Sequence, residues 1–587
     1  MDLGRLRPVL REPGRSKAAA QTGNRPRSGR TGSARLAEVA RGGTLNLAGA
    51  AVAAVMTLAM TVFVTRHFSK YAAGSFFAAT SAFLIVEMIA TLGVQNGLVY
   101  FIARFRSRGE DARIPATMRI ALTPVVVVSV ALMLAMLLLA QPLAQLLLST
   151  YHKGPPAAVA EVTTALRWLA ILVPFGALET ALLAGSRGYH DMRPTVVVDR
   201  MGVSTAQLLA VLAAAAAGSA AFLAPLWALP YVPAAAFAWF WLRRIRRNPP
   251  TRPVALPDVP PELAALLALA TPSTSALGGA SSRAALAVQS REARLGRVAR
   301  RRLARANRRD FWRFTIPRGV AVVTSAIIQR VDIVIIAVLR GPVEAAVYTA
   351  ATRFLVLGSF VGTAISRASQ PRLVELFTLH DRRGTNMVYQ TTTAWLILLA
   401  WPIYLLVLVY GPQVLAIFGH SYRAGYPVMV VLGVATLVGT LFGQVDVVLI
   451  TAGKSSWSML NGLLVLATNV GLDLYLIPKY GILGAAVAWA LAITVSNIVP
   501  FVQLAWVFRL HPFGRTSVAA AVLTAVCFGA VPLAIRAVLG GGWASLAAGV
   551  AAGSLLMMAG LLRFRGTLRL EGVVGLPRIP SRRSGSR

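Results

Sequence analysis

Charged side chains inside long apolar segments are the residues of this sequence best placed to do chemistry. Arg330 and Asp332 lie on one such segment, and Arg353 lies on the next. An ionisable group at bilayer depth costs at least about 2–3 kcal/mol, so it is normally kept there to serve a partner or a pathway. A guanidinium also offers a planar pair of donors that suits a pyrophosphate. These residues predict an anion site if the segments around them cross a membrane.

The composition is that of a membrane protein. The chain has 587 residues, of which 56% are hydrophobic and 14% are charged, and its mean hydropathy is +0.65. Soluble proteins carry about 25% charged residues. A spanning helix needs about 20 mostly apolar residues. About fourteen segments meet this condition, at 44–64, 72–94, 118–140, 162–184, 196–217, 220–242, 314–339, 344–366, 388–410, 426–451, 456–477, 482–507, 517–537 and 543–562.

The basic residues predict the orientation of these segments. The formal net charge is +38. Arg and Lys concentrate in the tails and in alternate connections, which is typical of cytoplasmic segments under the positive-inside rule. Both termini are therefore expected in the cytoplasm. The same pattern argues against nucleic-acid binding, although the total charge alone would permit it.

The segments predict an all-α polytopic membrane protein with two six-helix lobes and two further C-terminal helices. Ala72–Thr80 aligns with Ala345–Arg353 as a repeat, and an even number of spans per lobe gives both lobes the same orientation. The predicted regions are a disordered basic tail 1–43, a lobe 44–242, a basic inter-lobe loop 243–313, a lobe 314–507, two extra helices 508–565 and a disordered basic tail 566–587.

The inter-lobe loop contains a second basic feature. Arginines recur every three or four residues between 291 and 309, which would place them on one face of a helix. Such a face suits anionic lipid headgroups at about 1 kcal/mol per basic residue. The alternative is a loop that only sets the orientation of the spans.

Enzyme, metal and disulfide chemistry have no support in the sequence. Cys527 is the single cysteine, and the six histidines show no metal-ligand spacing. No phosphate-binding glycine loop, HExxH or nucleophile-elbow pattern occurs. We therefore expect a protein that is not an enzyme and that needs no cofactor or metal.

Several short motifs, in order along the chain, carry a family resemblance. They include Arg330–Asp332, Tyr348–Arg353, Ile417–Ala424 and Leu476–Ala486. With the span count, they resemble the bacterial polysaccharide flippases of the multidrug/oligosaccharidyl-lipid/polysaccharide exporter superfamily. The resemblance implies a multi-pass protein of the bacterial inner membrane that moves undecaprenyl-pyrophosphate-linked oligosaccharide to the outer leaflet by alternating access. It would serve cell-surface polysaccharide biosynthesis, with polysaccharide assembly enzymes as candidate partners.

Three other functions stay open. Lipid II flippases resemble the chain in span number and in a cationic cavity, and their arginine-rich first span is matched loosely by Arg66. A cation-coupled multidrug exporter is less favoured, because an arginine-rich midplane repels cations. A candidate that is not a transporter is a scaffold that recruits cell-wall enzymes through the basic loop.

The substrate-binding candidates are Arg330, Arg353, Asp332 and Arg66. Asp332 and Arg353 lie about ten residues on either side of an outer turn, hence ~15 Å below the outer edge. This equal depth predicts an ion pair between them. Arg330 would then be free to bind the pyrophosphate, while the sugar occupies a polar central cavity. A purely structural ion pair is the alternative.

Three further carboxylates, Glu87, Glu179 and Asp446, are candidates for coupling transport to protons or sodium. They could equally pair with Gln207, Gln444 or an arginine. Asp473 is expected near the outer end of its segment, in reach of water.

Overall fold

Fourteen apolar helical segments form the body of the protein. The computed structural model describes residues 29–148, 156–249 and 307–563, and these are helical without any strand. Twelve helices are long and apolar enough to span a membrane, and two bent pairs raise the number to 14. We number them as spans 1 to 14: Ala48–His67, Lys70–Ser107, Asp111–Leu138, Ala158–Gly188, Thr195–Ala216, Ala220–Arg247, Asn307–Ile328 with Val331–Arg340, Pro342–Leu355 with Gly358–Thr378, Arg382–Val409, His420–Thr451, Ser455–Tyr480, Ile482–Val507, Arg515–Leu539 and Trp543–Arg563.

This architecture confirms the predicted all-α polytopic membrane fold. Helices are expected here, because a lipid environment leaves no water to satisfy exposed backbone groups. The helix that contains span 1 begins at Gly29, so residues 29–43 of the predicted tail are helical. Spans 6 and 7 also reach further into the predicted inter-lobe loop than expected. The basic stretch 291–309 lies almost wholly outside the described residues, and residues 566–587 lie entirely outside them.

Each group of six spans packs mainly within itself. Span 4 is the centre of the first lobe and contacts spans 2, 3 and 6. In the second lobe, span 12 packs on spans 10 and 11, and span 8 packs on span 9. Span 13 lies against span 9, and span 14 lies against span 13. The two C-terminal helices therefore cover the second lobe.

Span 7 is broken rather than continuous, contrary to the single segment 314–339 that hydropathy predicted. Its two halves meet at 43° across Gln329 and Arg330. Arg330 has φ −136°, outside the helical range, and its backbone N–H donates to the carbonyl of Ile327 at 2.9 Å. Both halves contact span 2, but they differ in their other partners.

The first half of span 7 packs against span 2 of the first lobe. Gly93, at φ +67°, lies against the backbone of Gly319, and Gly97 lies against Phe311 and Thr315. The rings of Tyr100 and Phe314 stack with their centroids 4.1 Å apart. These glycines permit a backbone-to-backbone approach that larger residues would prevent. The second half, Val331–Arg340, contacts spans 8, 2 and 11 instead.

The two lobes also touch where span 8 begins. Gly74 of span 2 lies directly against the backbone carbonyl of Pro342, so a Cβ at this position would overlap the carbonyl. We call this end of the bundle, which also carries Arg66, the Arg66 end. Neither backbone can yield easily, because both belong to helices.

Replacing Gly74 should therefore loosen the lobe contact. We expect Gly74→Ala to destabilise the protein by about 1–3 kcal/mol through overpacking. The matched control is Gly471→Ala in span 11, because nothing lies within 4 Å of a Cβ there. That control should be neutral or slightly stabilising, since Ala favours a helix over Gly by up to ~1 kcal/mol. Thermal unfolding in detergent measures both, and equal melting temperatures would contradict the lobe contact.

Candidate functional site

Two arginines lie at the junction of the lobes. Arg330 occupies the break in span 7, and Arg353 lies on span 8 with its guanidinium carbon 5.8 Å from the ring centroid of Phe77 in span 2. Both side chains are half-buried, and they interact as like charges. No ion pair within the described ranges involves either residue. The buried Nε of Arg353 has no hydrogen-bond partner among the described groups.

The expected Asp332–Arg353 ion pair was wrong. Asp332 is 4% exposed, and its Oδ2 accepts a hydrogen bond of 2.7 Å from the hydroxyl of Tyr348. Tyr348 precedes Arg353 by five residues, which is about 140° around the same helix. The face of span 8 that meets Asp332 is thus not the face that carries Arg353. The spacing of residues gives their depth in the membrane, but it does not give the direction in which each side chain points around the helix axis.

Asp332 belongs to a buried acidic cluster instead. It lies close to Asn469 and Asp473 of span 11, and both of those residues are 0% exposed. One oxygen of Asp332 and both oxygens of Asp473 have no hydrogen-bond partner in the part of the chain that the structure describes. Two carboxylates in an apolar interior repel each other, so they are balanced best by a shared proton or a bound monovalent cation.

Asp473 was the residue that sequence reasoning misjudged most. It was expected to reach water near the end of its segment, but it is fully buried. Asn469 and Asp473 are four residues apart and therefore share one face of a helix. This spacing, in an apolar segment, was the available signal that both point to a common polar partner.

Glu87 and Glu179 form a second polar cluster, in the first lobe. They are 5% and 2% exposed, and the hydroxyl of Thr180 lies 3.1 Å from Oε1 of Glu87 and 3.5 Å from Oε2 of Glu179. Both carboxylates interact electrostatically with Asp199. Asp199 lies in a π-helical stretch, Thr195–Val203, of a kind that is frequent at functional sites.

Arginines partly balance this first-lobe cluster, which agrees with the alternative that the sequence left open. Arg187 interacts with Glu179 and Asp199, and Arg330 interacts with Glu87. Gln207, the other partner considered, interacts with Tyr231 instead. Arg330 therefore interacts with Glu87 of the first lobe and with Arg353 of the second lobe.

Asp446 lies apart from the other two coupling candidates. It follows a break in span 10 at Gly443, which has φ +66°. Its exposed side chain lines a polar cavity of about 560 Å³ inside the second lobe. Gln444, its predicted alternative partner, accepts a 2.6 Å hydrogen bond from Ser366 instead.

Arg66 lies at the surface and not with the other arginines. Its Nε donates to the carbonyl of Ile417 at 2.6 Å, and its Nη2 donates to that of Ala416 at 3.0 Å. Lys70 adds a 3.2 Å bond to the carbonyl of Ser421. Ala416 and Ile417 directly follow a short helix, Gly411–Leu415, of the second lobe. Arg66 joins the two lobes at the Arg66 end, and none of its described contacts involves Arg330 or Arg353.

Comparison with solved structures identifies the fold. One match is the "Lipid II flippase MurJ, inward closed conformation", with a TM-score of 0.61, 10% identity and coverage of 88% of this chain and 98% of that one. Another is the "Inward-facing conformation of a multidrug resistance MATE family transporter of the MOP superfamily", with a TM-score of 0.58, 16% identity and coverage of 78% and 94%. The chain shares the fold of these two solved transporters.

Sequence comparison adds one weaker resemblance, to a named transporter. A protein of Shigella flexneri named "Putative O-antigen transporter" is 25% identical over 196 residues. The match covers 32% of this chain and 44% of that relative, so the chain spans less than half of the relative's length. No family model matches the chain. The likeness to these solved transporters thus extends to the fold, and the chain is a multi-pass membrane protein.

The contact made by Arg66 should hold the two lobes together at this end. We expect Arg66→Ala to lengthen and broaden the distance distribution between spin labels at His67→Cys and Arg423→Cys, in a Cys527→Ser background. The control is Arg340→Ala, because Arg340 pairs with Glu344 within its own lobe. Double electron–electron resonance measures the distance. Distributions that stay unchanged in Arg66→Ala would show that the lobes are held by other contacts.

Proposed function

We propose that this protein is a flippase of the bacterial inner membrane that moves undecaprenyl-pyrophosphate-linked oligosaccharide from the cytoplasmic to the outer leaflet. The observation that carries the proposal is the pair of half-buried arginines at the lobe junction. Neither forms a salt bridge with a carboxylate among the described residues, although Arg330 interacts with Glu87 at longer range. Two guanidinium groups of like charge in a low-dielectric site favour a multivalent anion. The fold of the MOP transporters and the O-antigen transporter resemblance support the same reading.

The arginines would bind the pyrophosphate while the lipid chain stays in the bilayer. Arg330 interacts with Glu87 in the empty site. An arriving pyrophosphate competes with Glu87 for this guanidinium and also neutralises Arg353. Binding thus weakens an interaction between the lobes and replaces it with one through the substrate. A ligand that interacts differently with two arrangements of the lobes shifts their equilibrium, which is what alternating access requires.

The Arg66 end would be the outer face. With both termini in the cytoplasm, as the basic residues predict, the lobes are in contact at the outer side through Arg66 and Lys70. The substrate then enters from the cytoplasmic side, and its release requires these hydrogen bonds to break. They are exposed, so each contributes only about 1 kcal/mol and the closure is reversible.

The acidic cluster around Asp332 and Asp473 would supply the coupling to an ion gradient. Asp332 follows Arg330 by two residues, in the first turn after the break. Binding of a proton or a monovalent cation between the two carboxylates would hold the second half of span 7 against spans 8 and 11. Release of that ion would free the segment that carries Arg330. Glu87 and Glu179 remain candidates for a second proton site.

Lipid II translocation is the second candidate, and the structural match to a lipid II flippase favours it. Its substrate carries the same lipid and pyrophosphate, so the arginine pair fits both. A multidrug exporter of cations is disfavoured by two arginines at the junction. Surface-polysaccharide synthesis is preferred on the O-antigen transporter resemblance. A scaffold role has no feature among the described residues that favours it over transport.

Removing either arginine should impair flipping. A charge-assisted hydrogen bond contributes about 1.5–3 kcal/mol, so Arg330→Ala and Arg353→Ala should each slow flipping by roughly 10- to 150-fold. The corresponding Arg→Lys variants should keep part of the rate, because lysine keeps the positive charge but lacks the planar pair of N–H donors of the guanidinium. The control is Arg167→Ala, an exposed arginine of span 4. Proteoliposomes with a lipid-linked oligosaccharide in one arm and lipid II in the other provide the measurement. Wild-type flipping of both substrates in both variants would end the proposal.

Neutralising the acidic cluster should uncouple flipping from its ion. We expect Asp473→Asn and Asp332→Asn to abolish the response of the flipping rate to an imposed gradient. Asp310→Asn, an exposed acidic change on span 7, serves as the control and should keep the response. A pH gradient at constant sodium and a sodium gradient at constant pH are applied separately, to distinguish the two ions. If both cluster variants respond like the wild type, coupling lies elsewhere.

A further inference from the structure

The second lobe contains a cavity with mixed apolar and polar walls that the anion site leaves unexplained. It measures about 560 Å³ and lies among spans 7, 10, 11 and 12. We call it the amide cavity, because side-chain amides and hydroxyls dominate its polar lining. Its polar residues include Gln329, Gln444, Asp446, Ser458, Asn461 and Asn497. No Lys or Arg is among its described lining residues. Its volume falls within the ~300–1,000 Å³ range of small-molecule sites.

Hydrogen bonds within the protein hold these amides in place without using all their capacity. Asn461 and Gln503 exchange two bonds, of 2.8 and 3.0 Å. Gln329 donates to Ser325 at 3.3 Å, and Asn497 donates to the carbonyl of Ile493 at 2.8 Å. In both of these last cases the amide nitrogen is engaged, which leaves the amide oxygen as an acceptor. The wall therefore offers acceptors from Asp446 and from the free amide oxygens of Gln329 and Asn497, of which Gln329 lies in the break of span 7 and the other two lie on helices.

The position of the cavity relates it to the anion site. Gln329 lines the cavity and is the residue directly before Arg330. Consecutive Cα atoms lie about 3.8 Å apart, so a ligand whose phosphate contacts Arg330 would have its next covalently attached group near the backbone that also carries Gln329. In a lipid-linked saccharide, that group is the first sugar. Sugars present many hydroxyl donors, which fit acceptor-rich amide and carboxylate groups.

The lining also distinguishes a sugar from other occupants. A phosphate would be disfavoured by Asp446 and by the lack of a cation in the described lining. An acyl or prenyl chain would leave the amide oxygens buried without partners, and each buried unsatisfied polar group is costly. Trp489 lies in the wall and offers an apolar face beside the polar groups. Hydroxyl-rich rings with apolar ring faces satisfy both features.

We propose that the amide cavity binds the sugar nearest the pyrophosphate, so that the second lobe recognises the saccharide and the arginine pair recognises the phosphate. This inference rests on the proposed function and adds that the amide cavity determines the specificity for the sugar. Saccharides that differ in their first sugar should be discriminated in the cavity, and those that differ further out should not.

Cysteine protection tests the occupant directly. Asn497→Cys, in a Cys527→Ser background, places a thiol in the cavity wall for a water-soluble maleimide. We expect a lipid-linked saccharide to slow labelling by about tenfold or more, and undecaprenyl pyrophosphate without sugar to leave it unchanged. Asp310→Cys, on the exposed part of span 7, is the control and should label equally with either lipid. Equal protection by both lipids, protection by neither, or no labelling at all would each overturn the proposal.

Filling the cavity tests its role in transport. Gly462 lines the cavity, and the nearest atom to a Cβ there is Thr324 Cγ2 at 3.8 Å, so Gly462→Leu adds bulk mainly to empty space. Gly471→Leu on the same helix is the matched control. We expect Gly462→Leu to slow saccharide-lipid flipping at least about tenfold while its melting temperature stays at the control's value. Flipping at the control's rate would overturn the sugar site. A wild-type protein that flips no saccharide lipid would instead refute the proposed function, so the two failures are distinguishable.

Discussion

The break in span 7 at Gln329 and Arg330 is the constraint on which the other features depend. Within a bilayer, a helix can open only where protein or a water-lined cavity satisfies the freed backbone groups. The break lies beside both the amide cavity and the arginine pair, which meets this condition. Both halves of the span contact span 2, the first half at Gly93 and Gly97 and the second half at Lys70–Ala90, and the second half also contacts spans 8 and 11.

Most of the architecture could be predicted because hydropathy alone identifies membrane helices. All fourteen predicted segments correspond to helical spans, including the two that the structure bends. The break itself had no local signal, because neither Gly nor Pro occurs between Ile327 and Asp332. Its cause is tertiary: close glycine contacts at Gly93 and Gly97 hold the first half of span 7 on the first lobe. Residues far away in the sequence thus decide a bend that local propensity does not show.

The site was predicted only in part, because sequence spacing gives height in the membrane but not which helix faces which. Asp332 and Arg353 were expected at the same depth, and the structure instead brings Arg353 into a like-charge interaction with Arg330. The partner of Asp332 was wrong, since Tyr348 rather than Arg353 occupies the facing surface of span 8. Arg66 was grouped with them on family resemblance, yet its carbonyl partners lie in a loop about 350 residues away in sequence. Every residue carries a backbone carbonyl, so the residue types in the sequence do not show which carbonyl accepts such a hydrogen bond.

The distribution of charge suggests why the site uses two arginines rather than one. A single arginine beside Glu87 would form a balanced pair and would gain little from an anion. A second guanidinium adds a like charge that no described carboxylate pairs with, so the empty site keeps unrelieved repulsion. An anion that bridges both groups relieves this repulsion and gains two sets of charge-assisted bonds at once. Glu87 belongs to the first lobe and Arg353 to the second, and Arg330 lies at the break in span 7 between them. The free energy gained on binding an anion therefore depends on how the two lobes are arranged. Binding energy at such a site is therefore available to move the lobes, and not only to hold the ligand.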